Sequence, residues 1–120
     1  ANRETTGLFG EATLGRMRYG AYLVNTARGA IVETEALLKA LNKGHIAGAA
    51  LDTTSPEPLE PGHELLTMDN VIVTPHLGWY SEDALWRMRR SIISDVQAMA
   101  KSGQLPETLV NPKVLEDRRH

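Results

Sequence analysis

The chain contains no cysteine. Disulfide frameworks, thiolate nucleophiles and cysteine-ligated zinc are therefore excluded, and the lack fits a reducing compartment. Long apolar runs are missing too. No uninterrupted apolar-plus-glycine stretch is longer than Ile46–Leu51, which is far short of the roughly 20 residues a membrane-spanning helix needs. No basic segment leading into an apolar one opens the chain, so a secretory leader is not expected. Neither sign of charge is in excess: 13 Lys+Arg stand against 15 Asp+Glu, a net charge of -2. That balance gives no electrostatic basis for nucleic acid or an anionic membrane as partner. No two glycines stand two apart, so the G-x-G-x-x-G fingerprint is absent. Gly10 and Gly15 have P-loop spacing, but Arg16-Met17 replaces the required Lys and Ser/Thr. His45, His63, His76 and His120 lack paired ligand spacing, so no metal site is expected.

What remains is an ordinary globular composition. The chain has 120 residues, 42% hydrophobic and 23% charged, enough for one small domain with a core and unlike a disordered segment. The hydrophobic period changes along it and marks the elements. Glu11–Arg18 reads as a short helix with Leu14 and Met17 on one face, stopped at Tyr19-Gly20. Tyr22-Leu23-Val24 reads as a buried strand. Between Glu33 and Lys43, Ala36, Leu37, Ala40 and Leu41 repeat at helical spacing, with Gly44 as the left-handed stop. Ile46–Leu51 is a second buried strand and Val71–Thr74 a third, separated by a loop rich in Pro. A long helix is predicted over Ser81–Lys101, with the stripe Leu85, Met88, Ile92, Val96 and Met99, a Ser81 cap, acidic Glu82 and Asp83 in its first turn, and Gly103 after its end. Arg87-Met88-Arg89-Arg90 alternates with that stripe and reads as a solvated face. The tail from Leu105 is expected to be loose.

Strands that are apolar throughout, with helices between them, predict an α/β fold with a parallel sheet covered on both faces. Ligands bind such sheets at the carboxyl ends of the strands. The polar residues there are Asn25 to Gly29 after the first strand, Asp52 after the second, with Glu57 in the loop beyond, and Pro75-His76 after the third. An Arg there offers a planar fork for a carboxylate. A His can exchange a proton near neutrality, and a neighbouring carboxylate can orient its ring. Each also has an ordinary reading: Arg28 as a surface or capping residue, Pro75-His76 as a turn, Asp52 as a helix cap, Glu57 as a solvated loop residue.

Taken in order, the segments are specific. Val24-Asn25-Thr26-Ala27-Arg28-Gly29, Ala36-Leu37 with Ala40-Leu41, Gly48-Ala49-Ala50-Leu51-Asp52, Glu57-Pro58-Leu59 and Asn70-Val71-Ile72-Val73-Thr74-Pro75-His76-Leu77-Gly78 together resemble the D-isomer-specific 2-hydroxyacid dehydrogenases. The match runs over nearly all of residues 3–112. Pro75 to Glu82 is most similar to the branch that holds the C-terminal-binding-protein co-repressors and their bacterial relatives, alongside members like phosphoglycerate dehydrogenase.

The resemblance implies the second half of a Rossmann-type parallel sheet plus a long C-terminal helix, incomplete as a stand-alone domain. It divides the chain into the later part of an NAD(P)-binding domain (1–80), a helix returning toward a substrate domain (81–104) and a tail (105–120). It implies hydride transfer between a nicotinamide cofactor, NAD with NADP not excluded, and a small 2-hydroxy or 2-keto acid. The catalytic residues would be Arg28, Glu57 and His76: Arg28 clamping the substrate carboxylate, His76 exchanging a proton with the substrate oxygen, and Glu57 favouring the charged imidazole. Thr26, Ala27, Arg28, Asp52, His76 and Gly78 would contact the cofactor. Arg28, His76 and Trp79 would contact the substrate. The family's formate dehydrogenases carry Gln where Glu57 stands, which argues against formate. A homodimeric, cytoplasmic protein without nucleic-acid, membrane or metal partners is expected. Two other readings follow from the same residues: an NADH-sensing, co-repressor-like scaffold, and a fragment inactive without a missing half. Departures from the family pattern are Glu33, where a capping Asp is usual, Thr53-Thr54 after Asp52, and the lack of the Gly-rich phosphate loop, which precedes position 1 in family members.

Overall fold

The computed structural model describes residues 1–103, 105–106 and 109–111; most of the tail expected to be loose lies outside the described residues. The elements are α1 (Glu11–Arg16), β1 (Ala21–Asn25), α2 (Thr34–Asn42), β2 (Ile46–Leu51), β3 (Val71–Val73) and α3 (Glu82–Ser102). Single 3-10 turns at Gly29–Ile31 and Glu64–Leu66 were not anticipated from the periodicity. The three strands form one parallel sheet in the order β1-β2-β3, so the predicted α/β class holds. The chain divides into two compact units, Ala1–Trp79 and Tyr80–His120.

In the first unit, the alternation of strand side chains separates two faces. Leu23, Ala49 and Leu51 lie on the covered face, where they join Ala36, Leu37 and Leu41 of α2, Leu14 of α1, and Ile46 and Leu65 in the core. The expectation of a sheet covered on both faces needs correction. Tyr22, Val24 and Ile72 on the opposite face are 73%, 67% and 65% exposed. A parallel strand that is apolar on both sides is built to be covered on both sides, and the helices of this unit cover one.

The helix ends follow their local chemistry. Gly44 has a φ of 69° just after α2, the left-handed stop its sequence announces. Glu33, at the N-cap of α2, makes no side-chain cap bond. Its longer side chain instead lies over Gly7 and Gly10, whose missing Cβ atoms leave it room. In the second unit, Ser81 Oγ accepts from the Ala84 N–H at 3.1 Å and Gly103 closes α3 with a φ of 65°. The α3 stripe is present but exposed, with Met88, Ile92, Val96 and Met99 between 45% and 59% accessible.

Candidate active site at the carboxyl edge of the sheet

The register pairs Asn25 with Leu51 and Leu51 with Val73. The next residue of each strand, Thr26, Asp52 and Thr74, therefore emerges at one edge. This is where an open parallel sheet exposes its ligand-binding loops.

Asp52 joins the three strand ends. It is buried, and its own N–H donates to the Asn25 carbonyl at 2.9 Å. Its Oδ1 accepts from the Thr74 hydroxyl at 2.6 Å and from the Leu77 N–H at 2.7 Å, and its Oδ2 accepts from the Gly78 N–H at 2.8 Å. The Thr74 hydroxyl first, then the Gly78 and Leu77 N–H groups, hold this carboxyl below the usual carboxylate range against the opposing effect of burial. A carboxylate offers about four acceptor positions, so one on Oδ2 remains.

The same knot shapes the turn that carries His76. His76 has a φ of 55°, the left-handed region that few residues other than Gly adopt, although His is among the more tolerant. Such a conformation costs roughly 1–2 kcal/mol and persists where the surroundings over-determine it. Here the His76 N–H donates to the carbonyls of Asp52 at 2.9 Å and Thr74 at 3.0 Å, and the next two N–H groups are captured by Asp52.

His76 Nδ1 lies 2.7 Å from Glu57 Oε1. An ionised carboxylate only accepts, so Nδ1 carries the hydrogen and Nε2 is the nitrogen that can bind or release a proton. The side chains keep 38% and 42% of their surface accessible, so the pair is open to a small molecule. Both line a cleft of about 470 Å³ with Asp52, Leu59, Leu66 and Thr74. A slightly larger cleft, about 510 Å³, lies along α1 and α2. Several of its polar groups have structural partners: Glu11 pairs with Lys39 at 3.0 Å, and His45 Nε2 lies 3.1 Å from the Met17 carbonyl. The chemistry therefore favours the smaller one.

The loop after β1 places the remaining residues. Asn25 is buried, its Oδ1 accepting from the Ala27 N–H at 3.1 Å and its Nδ2 donating to the Arg28 carbonyl at 3.0 Å. This side chain fixes the loop in the manner of an Asx turn. Both backbone groups of Ala27 are engaged within the loop, because its carbonyl accepts from Arg28 Nη1 at 2.6 Å. Arg28 thus folds back on its own loop, and neither it nor Trp79 is among the lining residues of the His76 cleft. Gly78 stands where a Cβ would lie 2.9 Å from Asp52 Oδ2 and 3.9 Å from the Thr26 Cβ. The structure thus brings Glu57, His76 and Asp52 together with Gly78 and Thr26 beside them. Asn25 stands in the sequence only as one of the polar residues after the first strand and Thr74 only as the end of the third, although each directly follows or ends an apolar run, a position where a short polar side chain commonly bonds nearby backbone.

The lowered carboxyl of Asp52 has a measurable consequence. A group whose folded-state pKa is depressed contributes stability above its unfolded value, and that contribution disappears as pH falls through the folded value. Wild-type Tm is expected to decline with acidification below the ordinary Asp range, near pH 4. Asp52→Asn is expected to lower Tm at pH 7 and to flatten that decline, because its amide NH₂ faces an N–H donor. Thermal melts of both proteins between pH 2 and pH 7 check this; parallel acid limbs would show that the carboxylate contributes nothing.

Residues 1–78 match the family D-isomer specific 2-hydroxyacid dehydrogenase, NAD binding domain. The glyoxylate reductase of Thermofilum pendens is 47% identical over 116 residues, covering 97% of this chain and 34% of that protein. The chain thus spans about a third of the length of such relatives. Among solved structures, the D-isomer specific 2-hydroxyacid dehydrogenase of Xanthobacter autotrophicus in complex with NADPH and MES superposes with a TM-score of 0.83 at 36% identity, over 95% of this chain and 46% of that one. The NAD-complexed enzyme of Lactobacillus delbrueckii gives 0.81 at 38% identity, over 92% and 37%. With the Rossmann-type neighbours and the conjunction of strand-end residues, the chain belongs to the D-isomer specific 2-hydroxyacid dehydrogenase family.

Proposed function

We propose that this chain carries the proton-transfer groups and part of the nicotinamide site of an oxidoreductase that interconverts a 2-hydroxy acid and a 2-keto acid. The observation that carries the reading is the 2.7 Å pair between His76 Nδ1 and Glu57 in an accessible cleft at the carboxyl edge of the sheet. Glyoxylate is the first substrate to test, since relatives such as the Thermofilum pendens protein bear the name glyoxylate reductase.

The residues present fit one end of a nicotinamide. Gly78 has no side chain to fill the space beside Asp52 and Thr26, and Asp52 Oδ2 keeps an acceptor position for an amide N–H. Asp52 and Thr26 would hold the carboxamide, joined by the Ala27 carbonyl once Arg28 releases it, and Gly78 would let the ring approach. When bound, the nicotinamide supplies or accepts a hydride at C4. His76 Nε2 gives its proton to the keto oxygen during reduction and recovers it during oxidation. Glu57 fixes the ring through Nδ1 and stabilises the imidazolium. Arg28 exchanges its bond to the Ala27 carbonyl for a two-pronged contact with the substrate carboxylate, and Trp79 borders the substrate. On this reading residues 1–80 are the later part of the cofactor domain, 81–104 the helix that returns toward the substrate domain, and 105–120 a tail. The whole protein is proposed to work as a cytoplasmic homodimer with NAD or NADP.

The test grafts this chain in place of the corresponding third of the Thermofilum pendens glyoxylate reductase. NADH and NADPH oxidation is then followed with glyoxylate, hydroxypyruvate and pyruvate. The chimera is expected to turn over, and Arg28→Ala to abolish turnover. A folded chimera that binds NADH and reduces none of the acids would sink the enzyme reading and support the sensing scaffold.

A further inference from the structure

We propose that Thr74 is a positioning residue for His76, acting through the Asp52 carboxylate. The inference rests on the reading above, in which His76 is the proton-transfer group, and it adds a residue to that machinery. Thr74 does not touch the imidazole by any bond its side chain makes. Its hydroxyl donates to Asp52 Oδ1 at 2.6 Å, and the same oxygen accepts from the Leu77 N–H at 2.7 Å. The other oxygen accepts from Gly78. The terminal torsion of an Asp side chain is broad and roughly two-fold, so a carboxylate held from one side alone can swing. Thr74 directly follows β3 while the two N–H groups belong to residues beyond His76, so the carboxylate ties together the chain on both sides of His76, and the hydroxyl is its third donor.

That tie supports the shape of the His76 turn. The residue sits at a φ of 55° between Thr74, which supplies the hydroxyl and one carbonyl acceptor, and Leu77-Gly78, which supply the captured N–H groups. Without the hydroxyl, Asp52 Oδ1 keeps one donor of two. The turn keeps the backbone bonds of its His76 N–H but loses the side-chain link from Thr74 through Asp52 to Leu77, and the left-handed conformation is held by one bond fewer. Relaxation of φ at His76 swings the ring away from Glu57. Thr74 also suits the place for a second reason: as the residue before Pro75 it is restricted to extended backbone, which keeps its side chain at a constant position relative to β3.

The experiment reads the imidazole directly. Long-range ¹H–¹⁵N correlation spectra of the 120-residue chain, labelled at histidine, report which ring nitrogen carries the hydrogen. In the wild type the neutral His76 ring is expected in the Nδ1–H form set by Glu57. Thr74→Val, which keeps volume and β-branching, is expected to lose that tautomer preference, and Thr74→Ser, which keeps the hydroxyl, to restore it. His45 and His63 serve as internal controls. Their rings bond the Met17 carbonyl and the Leu65 N–H, and their signals are expected to stay in place in both variants.

An unchanged His76 signature in Thr74→Val, with His45 and His63 in place, overturns the proposal, as does loss of the signature in Thr74→Ser. Should Thr74→Val move all three rings together, the fold has failed and the wild type decides. Its Leu77 and Gly78 amide signals and its Thr74 methyl must then shift in concert as Asp52 is titrated, and independent behaviour overturns the coupling. None of these readouts needs turnover. Intact coupling in a protein that reduces no keto acid would reject the enzyme reading alone, and lost coupling in an active chimera would reject the role of Thr74 alone.

Discussion

His76→Gln lowers kcat for glyoxylate reduction by the chimera about 10²–10⁴-fold, the usual span for loss of a general acid, and leaves NADH affinity within a few-fold. Glutamine reproduces much that is structural about this histidine. It is polar, of similar length, and its NH₂ can donate to Glu57 as Nδ1–H does across 2.7 Å. What it lacks is a proton it can release near neutral pH. The keto oxygen then acquires hydride-derived charge with no acid beside it, so the deficit falls on kcat. The backbone needs its own control, because His76 sits at a φ of 55°. Asparagine tolerates that region as well as histidine does, so His76→Asn separates the proton from the turn. Both variants are expected to fail alike in kcat while binding NADH, measured by fluorescence titration. Turnover in either variant within a few-fold of wild type would remove His76 from the reaction and return Pro75-His76 to an ordinary turn.

The parts legible in the sequence were those governed by short-range periodicity and local chemistry. Ile46–Leu51 reads as a strand because six apolar or small residues stand together, and its bounds are those observed. Ser81 and Gly103 cap the long helix because a side-chain oxygen and a positive φ are local requirements. Strand ends could be named as the site because parallel topology follows from helices between apolar strands. From there Glu57 and His76 could be singled out, and the structure places them in contact.

Less was legible wherever residues far apart in sequence meet. Thr74 and Asp52 are linked by a hydrogen bond across 22 positions, and no periodicity reports that. By sequence alone Asp52 is a helix cap or a cofactor ligand. Its three internal donors make it first an anchor for the turn that follows β3. Arg28 illustrates a different gap. Its place after β1 is a matter of sequence, but the direction of a long side chain with five donors depends on whichever acceptor is nearest, here the Ala27 carbonyl. The open sheet face at Tyr22, Val24 and Ile72 is not legible in the strands, because apolar character tells which residues prefer cover, while the identity of the cover is a property of chain beyond the strand.

Gly29→Ala is expected to damage both fold and site. A Cβ at this buried position would lie 1.8 Å from the Thr54 carbonyl oxygen, 2.0 Å from its carbon and 2.7 Å from its Cα. All three are backbone atoms, so no side-chain rotation relieves the clash, and the two segments must part by about an ångström or more in a close-packed interior. Overpacking ordinarily costs about 1–3 kcal/mol. With backbone on the far side, the upper end applies, and Tm should fall on the order of 10 °C. The two segments also carry the chemistry. Arg28 immediately precedes Gly29, and Thr54 leads to Glu57 through a loop tied to α2 by the Thr34 hydroxyl on the Ser55 carbonyl at 2.7 Å. Separation therefore moves the carboxylate fork and the histidine's partner in opposite directions. In a reaction sensitive to misplacement of about 1 Å, activity should fall further than the lost stability explains, even well below the melting range. Gly15 supplies the comparison. It lies in α1 with nothing within 4 Å of its would-be Cβ, so Gly15→Ala should melt at or above the wild-type temperature, since Ala favours a helix by roughly 0.5–1 kcal/mol over Gly. Differential scanning calorimetry and chimera kinetics on the pair decide the matter. Equal melting temperatures would mean that the segments at Gly29 and Thr54 can part freely, and that their close approach does not set the distance between Arg28 and Glu57.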